Sequence, residues 1–365
     1  MSKIISIGTA LPSYKHSQNK ICEFMIDAYS VPEIEKRKIK FLYDHSGIEY
    51  RYSVIPDYSK DKGERLFYPI SQNLEPFPTI EKRMNWFMVN ACPLSIKAIK
   101  RCLNGHLKKN EITHLITVSC TGLSAPGLEI SIHEALKLSS GIFRTSLNFM
   151  GCFGAIHALK IADAFCKSEK NAVVLIVCTE LCTLHFQKEY TSDNVTSSLL
   201  FGDGSAAVLV TNSNYPADGL HLSNFKSELL IQGKSDMAWH VSSLGFRMTL
   251  SRYIPLLIGS GIEPMLKTTL NSLKLKKNKI SHWAIHPGGK KILETVKDQL
   301  NLTEVNLKTS FNVLKKHGNM SSPTILFILS DMMKELNWRE GNRIFAAAFG
   351  PGLTMESLIL TNKLK

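Results

Sequence analysis

Short apolar segments rich in β-branched residues alternate with helical segments along most of the chain, and this alternation restricts the possible fold more than any other sequence feature. Strands are predicted at residues 3–8, 114–120, 144–150, 172–178, 204–211, 282–286, 343–349 and 353–360. Helices are predicted at residues 21–29, 32–45, 79–105, 126–138, 152–165, 251–273, 289–300, 308–316 and 321–336. Strands that alternate with helices predict an α/β fold, with helices packed on a sheet.

The two parts of the chain have the same rhythm. Each contains a buried strand, a glycine-bearing turn and a helix, in the segments SLNFMGCFGAIHAL and HWAIHPGGKKIL. A length of 365 residues also suits two units or one large two-part domain. We therefore expect two structurally related halves.

The charge pattern argues against a nucleic-acid-binding protein. The formal net charge is +13, but the lysines occur in short groups such as residues 35–38 and 274–277 and form no basic block. Aromatic residues do not interleave with basic ones, and no zinc or helix-turn-helix signature is present. Most of these lysines are expected on solvated surface, with a few available for a phosphate-bearing ligand.

The cysteines and the apolar runs indicate a protein of the reducing cytoplasm. The eight cysteines form no Cys-x-x-Cys pair. The first residues lack the apolar core of a signal peptide, and no apolar run reaches the roughly 18 residues that span a membrane. Free thiols and no membrane span are therefore expected.

Cys152 is a candidate nucleophile because it stands in Asn-Phe-Met-Gly-Cys-Phe-Gly-Ala, where an apolar strand ends and a helix of small residues begins. The dipole and unpaired N–H groups of a helix N-terminus favour thiolate over thiol, and the thiolate is the nucleophile. A cysteine among apolar residues is also compatible with plain core packing.

Two further polar side chains occupy similar positions. His286 follows a buried strand in Ala-Ile-His-Pro-Gly-Gly, where a structural strand-end histidine is the alternative. Asn319 lies in His-Gly-Asn-Met-Ser-Ser-Pro before a hydrophobic helix, which Ser321 or Ser322 could cap without any catalytic role. Sulfur can carry an acyl group, and imidazole and amide N–H groups can hold a negative oxygen. A backbone N–H of the turn at 349–352, Phe-Gly-Pro-Gly, could complete an oxyanion hole.

With these motifs in order (GCFG, LFGDG, HPGG, GNMSS and FGPG), the chain resembles the type III polyketide synthases, the chalcone-synthase-like family of thiolase-fold condensing enzymes. It is most similar to bacterial members. The resemblance implies two pseudo-repeated βαβαβαββ halves in a five-layered αβαβα arrangement, and a homodimer. The first half would be residues 1–220, with the nucleophile, and the second 221–365, with the histidine and the asparagine.

The resemblance also implies roles for individual residues. Cys152, His286 and Asn319 match the family's catalytic Cys/His/Asn, and Phe201 matches its gatekeeper phenylalanine. The expected activity is an acyltransferase reaction: an acyl-CoA starter is loaded on Cys152 and extended by decarboxylative condensation with malonyl-CoA, giving a pyrone, a resorcinol or a related polyketide. No metal or redox cofactor is expected.

Departures from the plant pattern fall in the cavity and in the CoA site. Cys182 and His185 stand where plant members carry two threonines, Cys120 replaces another, and Met248 aligns with the second phenylalanine gate. Phe41 and His45 occupy positions of two expected cations. The CoA contacts implied by the resemblance are Lys38, Gly288 and Lys291.

Two other activities are compatible with parts of this pattern. A fatty-acid-initiating ketoacyl synthase III uses the same Cys/His/Asn set but takes a carrier-protein substrate. A papain-type cysteine hydrolase has the same triad order, but normally needs an oxidising compartment and a Cys-Gly-Ser-Cys-Trp-like segment, and the sequence supports neither. The starter group, the number of extensions and the cyclisation route do not follow from the sequence.

Overall fold

The computed structural model describes residues 1–71, 73–338 and 341–362. The strands are β1 Ser2–Ala10, β2 Tyr14–Ser17, β3 Tyr50–Ser53, β4 His114–Ser119, β5 Phe143–Asn148, β6 Val173–Leu181, β7 Asp203–Asn212, β8 Leu220–Leu229, β9 Met237–Ser242, β10 Gly245–Leu250, β11 His282–Ile285, β12 Arg343–Gly350 and β13 Thr354–Thr361. The helices are α1 Gln18–Tyr29, α2 Glu33–Asp44, α3 Ile80–Leu103, α4 Leu128–Leu136, α5 Gly154–Ser168, α6 Ser192–Leu200, α7 Ile254–Ser272, α8 Lys290–Gln299, α9 Lys308–His317 and α10 Thr324–Glu335.

One mixed sheet of nine strands runs through the described part of the chain in the order β11-β12-β13-β8-β1-β7-β6-β4-β5. From the centre outward, β1, β7, β6 and β4 have the same relative directions as β8, β13, β12 and β11: two antiparallel pairings followed by a parallel one. A short antiparallel pairing at Lys3 and Ile4 joins the two halves. The repeat that the sequence suggested is therefore confirmed.

The apolar clusters show five layers: outer helices, one half of the sheet, central helices, the other half of the sheet, and outer helices again. Alternate side chains of β6 point to opposite faces, as a strand requires, so Leu175 packs with the outer helices α1 and α3 while Ile176 packs with α5. In the second half, Phe345 of β12 faces α7 and α8, and Ala346 faces the central layer. Helices α5 and α10 share that central cluster, between the two halves of the sheet.

The predicted elements are present, with shifts at their ends that matter for the site. Helix α5 begins at Gly154 instead of residue 152, so Cys152 lies in the turn before it. Helix α10 begins at Thr324 with Pro323 in the capping position, so neither Ser321 nor Ser322 caps it through a side chain. Between α9 and α10, where the first half has β5, the described residues form only a single bridge, Asn319 with Phe201.

Within the described ranges, no helix combines the length and the apolar character that a bilayer-crossing segment needs. Residues 363–365, at the end of the second predicted half, lie outside the described residues.

Gly8 of β1 is the point where α3 comes closest to the sheet. A Cβ at this position would lie 2.3 Å from the Ala98 carbonyl oxygen and 2.3 Å from the Cys102 nitrogen, both in the α3 backbone. Backbone cannot yield as a flexible side chain does, so Gly8→Ala should lower the free energy of unfolding by about 2 to 4 kcal/mol. Urea unfolding followed by circular dichroism measures this change.

The matched control is Gly63→Ala, because a Cβ at Gly63 would meet no heavy atom within 4 Å. We expect Gly63→Ala to change the free energy of unfolding by less than about 0.5 kcal/mol. Equal effects of the two substitutions would contradict the close packing of α3 on β1.

Candidate active site

Cys152, His286 and Asn319 line one cavity of about 950 Å³ between the two halves of the molecule. Cys152 comes from the turn between β5 and α5, His286 from the end of β11, and Asn319 from the segment between α9 and α10. A volume of this size lies in the range of small-molecule sites. The structure therefore brings together the three side chains that the sequence singled out.

The turn that carries Cys152 is strained and tightly packed. Phe149 and Gly151 have positive φ values of 59° and 78°, and such a conformation costs a non-glycine residue about 1 kcal/mol or more. A Cβ on Gly151 would lie 2.2 Å from Cδ of Pro351. The Gly151 N–H donates to Sγ of Cys120 at 2.9 Å. Glycine is thus required beside Cys152, and Cys120 supports the turn through this hydrogen bond.

The expectation that the helix N-terminus makes Cys152 a thiolate is wrong for the isolated group. Burial raises the pKa of Cys152 to about 11, and hydrogen bonding to Ser321 and Asn319 offsets this only in part. Helix α5 also begins two residues later, which weakens its field at the sulfur.

His286 is a fully buried, neutral imidazole. Its backbone N–H donates to Ala347 of β12 at 2.9 Å, which fixes the residue at the sheet edge. Burial lowers its pKa to about 3, and neither ring nitrogen has a hydrogen-bond partner among the described residues. An unpaired buried polar group is costly, so both nitrogens are poised for partners that enter the cavity. Proton transfer from Cys152 to His286 would create the two charges together as a pair.

Asn319 is oriented by its own neighbours. Its Oδ1 accepts a hydrogen bond from the Ser321 N–H at 2.8 Å and lies 4.0 Å from Sγ of Cys152. The carbonyl side of the amide is therefore occupied, and within the described part of the chain Nδ2 has one long contact, 3.5 Å to the Gly288 oxygen. The amide N–H₂ group is left to donate into the cavity, as an anionic oxygen would require.

Sequence reasoning missed Glu180, a buried acid at the end of β6. Its Oε2 accepts from the Cys120 N–H at 2.9 Å and from Oγ1 of Thr121 at 2.8 Å, and its Oε1 accepts from Oγ of Ser322 at 2.7 Å. Burial raises its pKa to about 7. One acidic residue inside the otherwise uncharged run VVLIVCTEL was the signal that could have revealed it.

The predicted gate and cavity residues form a partition. Cys182, Phe201 and Met248, together with Trp239, line both the main cavity and a second cavity of about 40 Å³. Trp239 was missed; its indole N–H donates to the Cys120 oxygen at 2.8 Å.

In the part of the chain that the structure describes, His185 lines the smaller of these two cavities and not the main one. Its Nδ1 accepts from the Phe246 N–H at 3.1 Å, so Nε2 carries the proton and donates to the Thr121 oxygen at 2.7 Å. Its ring stacks on Phe246 with centroids 4.2 Å apart. Both nitrogens are used, and burial lowers the pKa of His185 to about 3, so it acts as packing in the wall.

Two of the three predicted CoA contacts line the main cavity, and the third lies elsewhere. Gly288 and Lys291 line the main cavity, whereas Lys38 pairs with Glu35 at 2.7 Å on the exposed side of α2 and is not among the lining residues. His45, Arg252 and Lys290 also line the cavity. The basic groups available to a phosphate-bearing ligand thus include Lys290 and Lys291, which follow HPGG in the sequence, and Arg252, which the sequence reasoning missed.

The turn at 349–352 packs directly against the turn that carries Cys152. A Cβ on Gly350 would lie 3.3 Å from the Cys152 nitrogen. Phe349 and Pro351 line the cavity; Pro351 has no N–H to donate. The backbone donor role of Phe349, Gly350 and Gly352 stays a prediction.

Cys152 and His286 are each neutral on their own at pH 7. Replacing His286 should therefore show how fast the Cys152 thiol reacts without a neighbouring base. We expect His286→Gln to lower the rate of iodoacetamide alkylation of Cys152 at pH 7 by about a hundredfold. The rate should then rise about tenfold per pH unit from pH 7 to pH 10, since the thiolate fraction grows below a raised pKa.

The alkylated peptide is quantified by mass spectrometry, and Cys152→Ser identifies the background from other thiols. Parental reactivity of His286→Gln at pH 7 would show that the helix N-terminus alone generates the thiolate.

Comparison with known proteins identifies the family. Residues 1–214 match the family described as chalcone and stilbene synthases, N-terminal domain, and residues 221–363 match its C-terminal domain. The crystal structure of PKS-I from the brown alga Ectocarpus siliculosus superposes with a TM-score of 0.91 at 26% identity, covering 99% of this chain and 98% of that one. The thiolase fold predicted from the motifs is confirmed.

Two curated relatives agree with this result. The alpha-pyrone synthesis polyketide synthase-like protein Pks18 of Mycobacterium tuberculosis is 34% identical over 288 residues, covering 77% of this chain and 73% of the relative. Probable polyketide synthase 1 of Dictyostelium discoideum is 29% identical over 370 residues. This match covers 99% of the present chain but 11% of the length of the Dictyostelium protein. The chain belongs to the chalcone and stilbene synthase family, the type III polyketide synthases, which are decarboxylating condensing enzymes of the acyltransferase class.

Proposed function

We propose that this enzyme loads an acyl group from an acyl-CoA starter onto Cys152 and extends it with malonyl-CoA. The observation that carries the proposal is the convergence on one cavity of a thiol, an imidazole with two unpaired nitrogens and an amide N–H₂ group. These groups are what acyl transfer and enolate stabilisation require.

In the loading step, His286 accepts the proton of Cys152 as Sγ attacks the thioester carbon. The tetrahedral intermediate collapses, the bond from carbon to the CoA sulfur breaks, and CoA leaves with the proton that His286 returns. An imidazole that is neutral at pH 7 can serve as both base and acid in this step.

In the extension step, malonyl-CoA loses carbon dioxide and the electrons of the broken carbon–carbon bond move onto the thioester oxygen as an enolate. His286 and Asn319 donate hydrogen bonds to that oxygen. The enolate carbon then attacks the Cys152 thioester, a new carbon–carbon bond forms, and the sulfur leaves as thiolate to accept the lengthened chain for another round. Written this way, the reaction needs no metal or redox cofactor.

CoA thioesters are proposed over carrier-protein thioesters because Arg252, Lys290 and Lys291 line the same cavity as Cys152 and can meet phosphate groups. The Mycobacterium relative is named for alpha-pyrone synthesis. A pyrone, a resorcinol or a related polyketide is accordingly the proposed product class. The homodimer, the cytoplasmic location and the division of the chain at residue 220 stay predictions.

The function is tested by incubating the enzyme with malonyl-CoA and a panel of acyl-CoAs and identifying the products by mass. Asn319→Ala should still become acylated at Cys152 within about threefold of the parental rate. It should release carbon dioxide from malonyl-CoA about a hundredfold more slowly, since one donor to a developing oxyanion contributes about 3 kcal/mol.

Asn312→Ala is the matched control, because Asn312 lies in α9, seven residues before Asn319 in the sequence. It should leave both partial reactions unchanged. Parental decarboxylation by Asn319→Ala would mean that Asn319 only shapes the chain before α10. Faster turnover with malonyl-carrier protein than with malonyl-CoA would instead favour a ketoacyl synthase III activity.

The partition of Cys182, Phe201, Trp239 and Met248 is proposed to limit the acyl chain that the cavity holds. Trp239→Ala removes the largest of these side chains and would join the two cavities. We expect the ratio of turnover with dodecanoyl-CoA to turnover with hexanoyl-CoA to rise about tenfold, because about two further methylenes would be buried in the space opened, at about 0.8 kcal/mol each.

Trp86→Ala is the control, since Trp86 is also half-buried and its indole N–H also donates to a backbone oxygen, that of Val54. It does not line the main cavity. An unchanged chain-length ratio in Trp239→Ala would show that chain length is limited elsewhere.

A further inference from the structure

Arg51 of β3 is a buried arginine whose hydrogen bonds go to neutral groups near the candidate site. It is 3% exposed. Its Nε donates to Oε1 of Gln18 at 2.9 Å, and its Nη1 donates to the backbone oxygen of Phe201 at 2.6 Å. Burying a guanidinium is expensive, so a buried one is expected to hold something in place.

Arg51 binds the backbone of Phe201, the predicted gate residue, and this segment is hydrogen-bonded to Asn319. The Asn319 N–H donates to the Leu200 oxygen at 2.8 Å, and the Gly202 N–H donates to the Asn319 oxygen at 2.9 Å. These two bonds form the single bridge between Phe201 and Asn319. A displacement of the backbone at Phe201 therefore moves Asn319 as well.

Three consecutive carbonyl groups of this segment are occupied. The Leu199 oxygen accepts from Nε2 of Gln18 at 2.9 Å, the Leu200 oxygen accepts from the Asn319 N–H, and the Phe201 oxygen accepts from Arg51. Because Gln18 also accepts from Arg51, the two side chains form one clamp on the segment. A guanidinium has the fork of donors that this requires, whereas an ammonium is a point charge on a flexible stem.

The stem of Arg51 also fills the space beside Asn319. A Cβ on Gly318 would lie 2.9 Å from Cγ and from Cδ of Arg51, and Gly318 has a φ of 68°. The residue before Asn319 is thus restricted by the same side chain that fixes the gate carbonyl.

We propose that Arg51 is a positioning residue for the extension step: with Gln18, it keeps the Phe201–Asn319 bridge in register and so aims the Asn319 amide at the enolate oxygen. This inference rests on the proposed function. A shift of about 1 Å in a catalytic group can cost about a hundredfold in rate. Loading of Cys152 depends on Sγ and His286, which Arg51 does not contact.

The test compares Arg51→Lys with Arg83→Lys in the two partial reactions. Arg83 is a matched control because it too is fully buried and donates to two backbone oxygens, those of Pro78 and Leu184. We expect Arg51→Lys to lower the kcat of malonyl-CoA decarboxylation by about ten- to a hundredfold, with KM and the rate of Cys152 acylation each within about threefold of the parent. Arg83→Lys should lower the unfolding midpoint comparably and leave the ratio of the two partial reactions unchanged.

A double-mutant cycle separates positioning from general stability. If Arg51 acts through Asn319, Arg51→Lys should cost less than about twofold in decarboxylation when Asn319 is already alanine. Gln18→Leu removes the other half of the clamp and should lower decarboxylation by about three- to tenfold, again only while Asn319 is present; it decides the question if Arg51→Lys does not fold.

The inference would be overturned if Arg51→Lys and Arg83→Lys changed the ratio of decarboxylation to acylation equally. It would also be overturned if Arg51→Lys lowered decarboxylation as much in the Asn319→Ala background as in the parent. A parental enzyme that neither becomes acylated nor decarboxylates malonyl-CoA would refute the proposed function itself, and the inference with it.

Discussion

The buried carboxylate of Glu180 is the interaction on which the geometry of the site depends. It accepts hydrogen bonds from Cys120 and Thr121 in the first half of the molecule and from Ser322 in the second. In the ionised form of Glu180, which predominates above the raised pKa of about 7, each hydrogen bond to the carboxylate contributes about 1.5 to 3 kcal/mol, enough to hold the loops of both halves together. Cys120 in turn accepts from the Gly151 N–H, so the same acid supports the turn that carries Cys152.

Around this anchor, burial decides the protonation states. It raises the pKa of Cys152 to about 11 and lowers the pKa of His286 to about 3. Each group alone is thus neutral at pH 7, and proton transfer from Cys152 to His286 would create both charges together. A neutral resting pair suits a cavity lined largely by apolar side chains, because isolated charges there would be costly.

Strand and helix positions were predictable because apolar periodicity is local. The positions of Cys152 and His286 followed from turns at strand ends, and that of Asn319 from a polar segment before a hydrophobic helix. Contacts between distant residues were not. Arg51 meets Phe201 across 150 positions, and Glu180 meets Ser322 across 142. Lys38 matched a family position, yet its helix directs it toward Glu35. The pKa direction at Cys152 was wrong because sequence shows a helix start but not the depth of burial.

Among the described residues, three thiols line the main cavity, and we propose that Cys152 is the one that carries the acyl group. The most direct test of this proposal is peptide mapping after a brief incubation with hexanoyl-CoA in the absence of malonyl-CoA, with acid quenching to preserve thioesters. We expect one hexanoyl adduct, on the peptide that contains Cys152. An adduct on Cys120 or Cys182, or an unmodified Cys152 beside consumed hexanoyl-CoA, would contradict it.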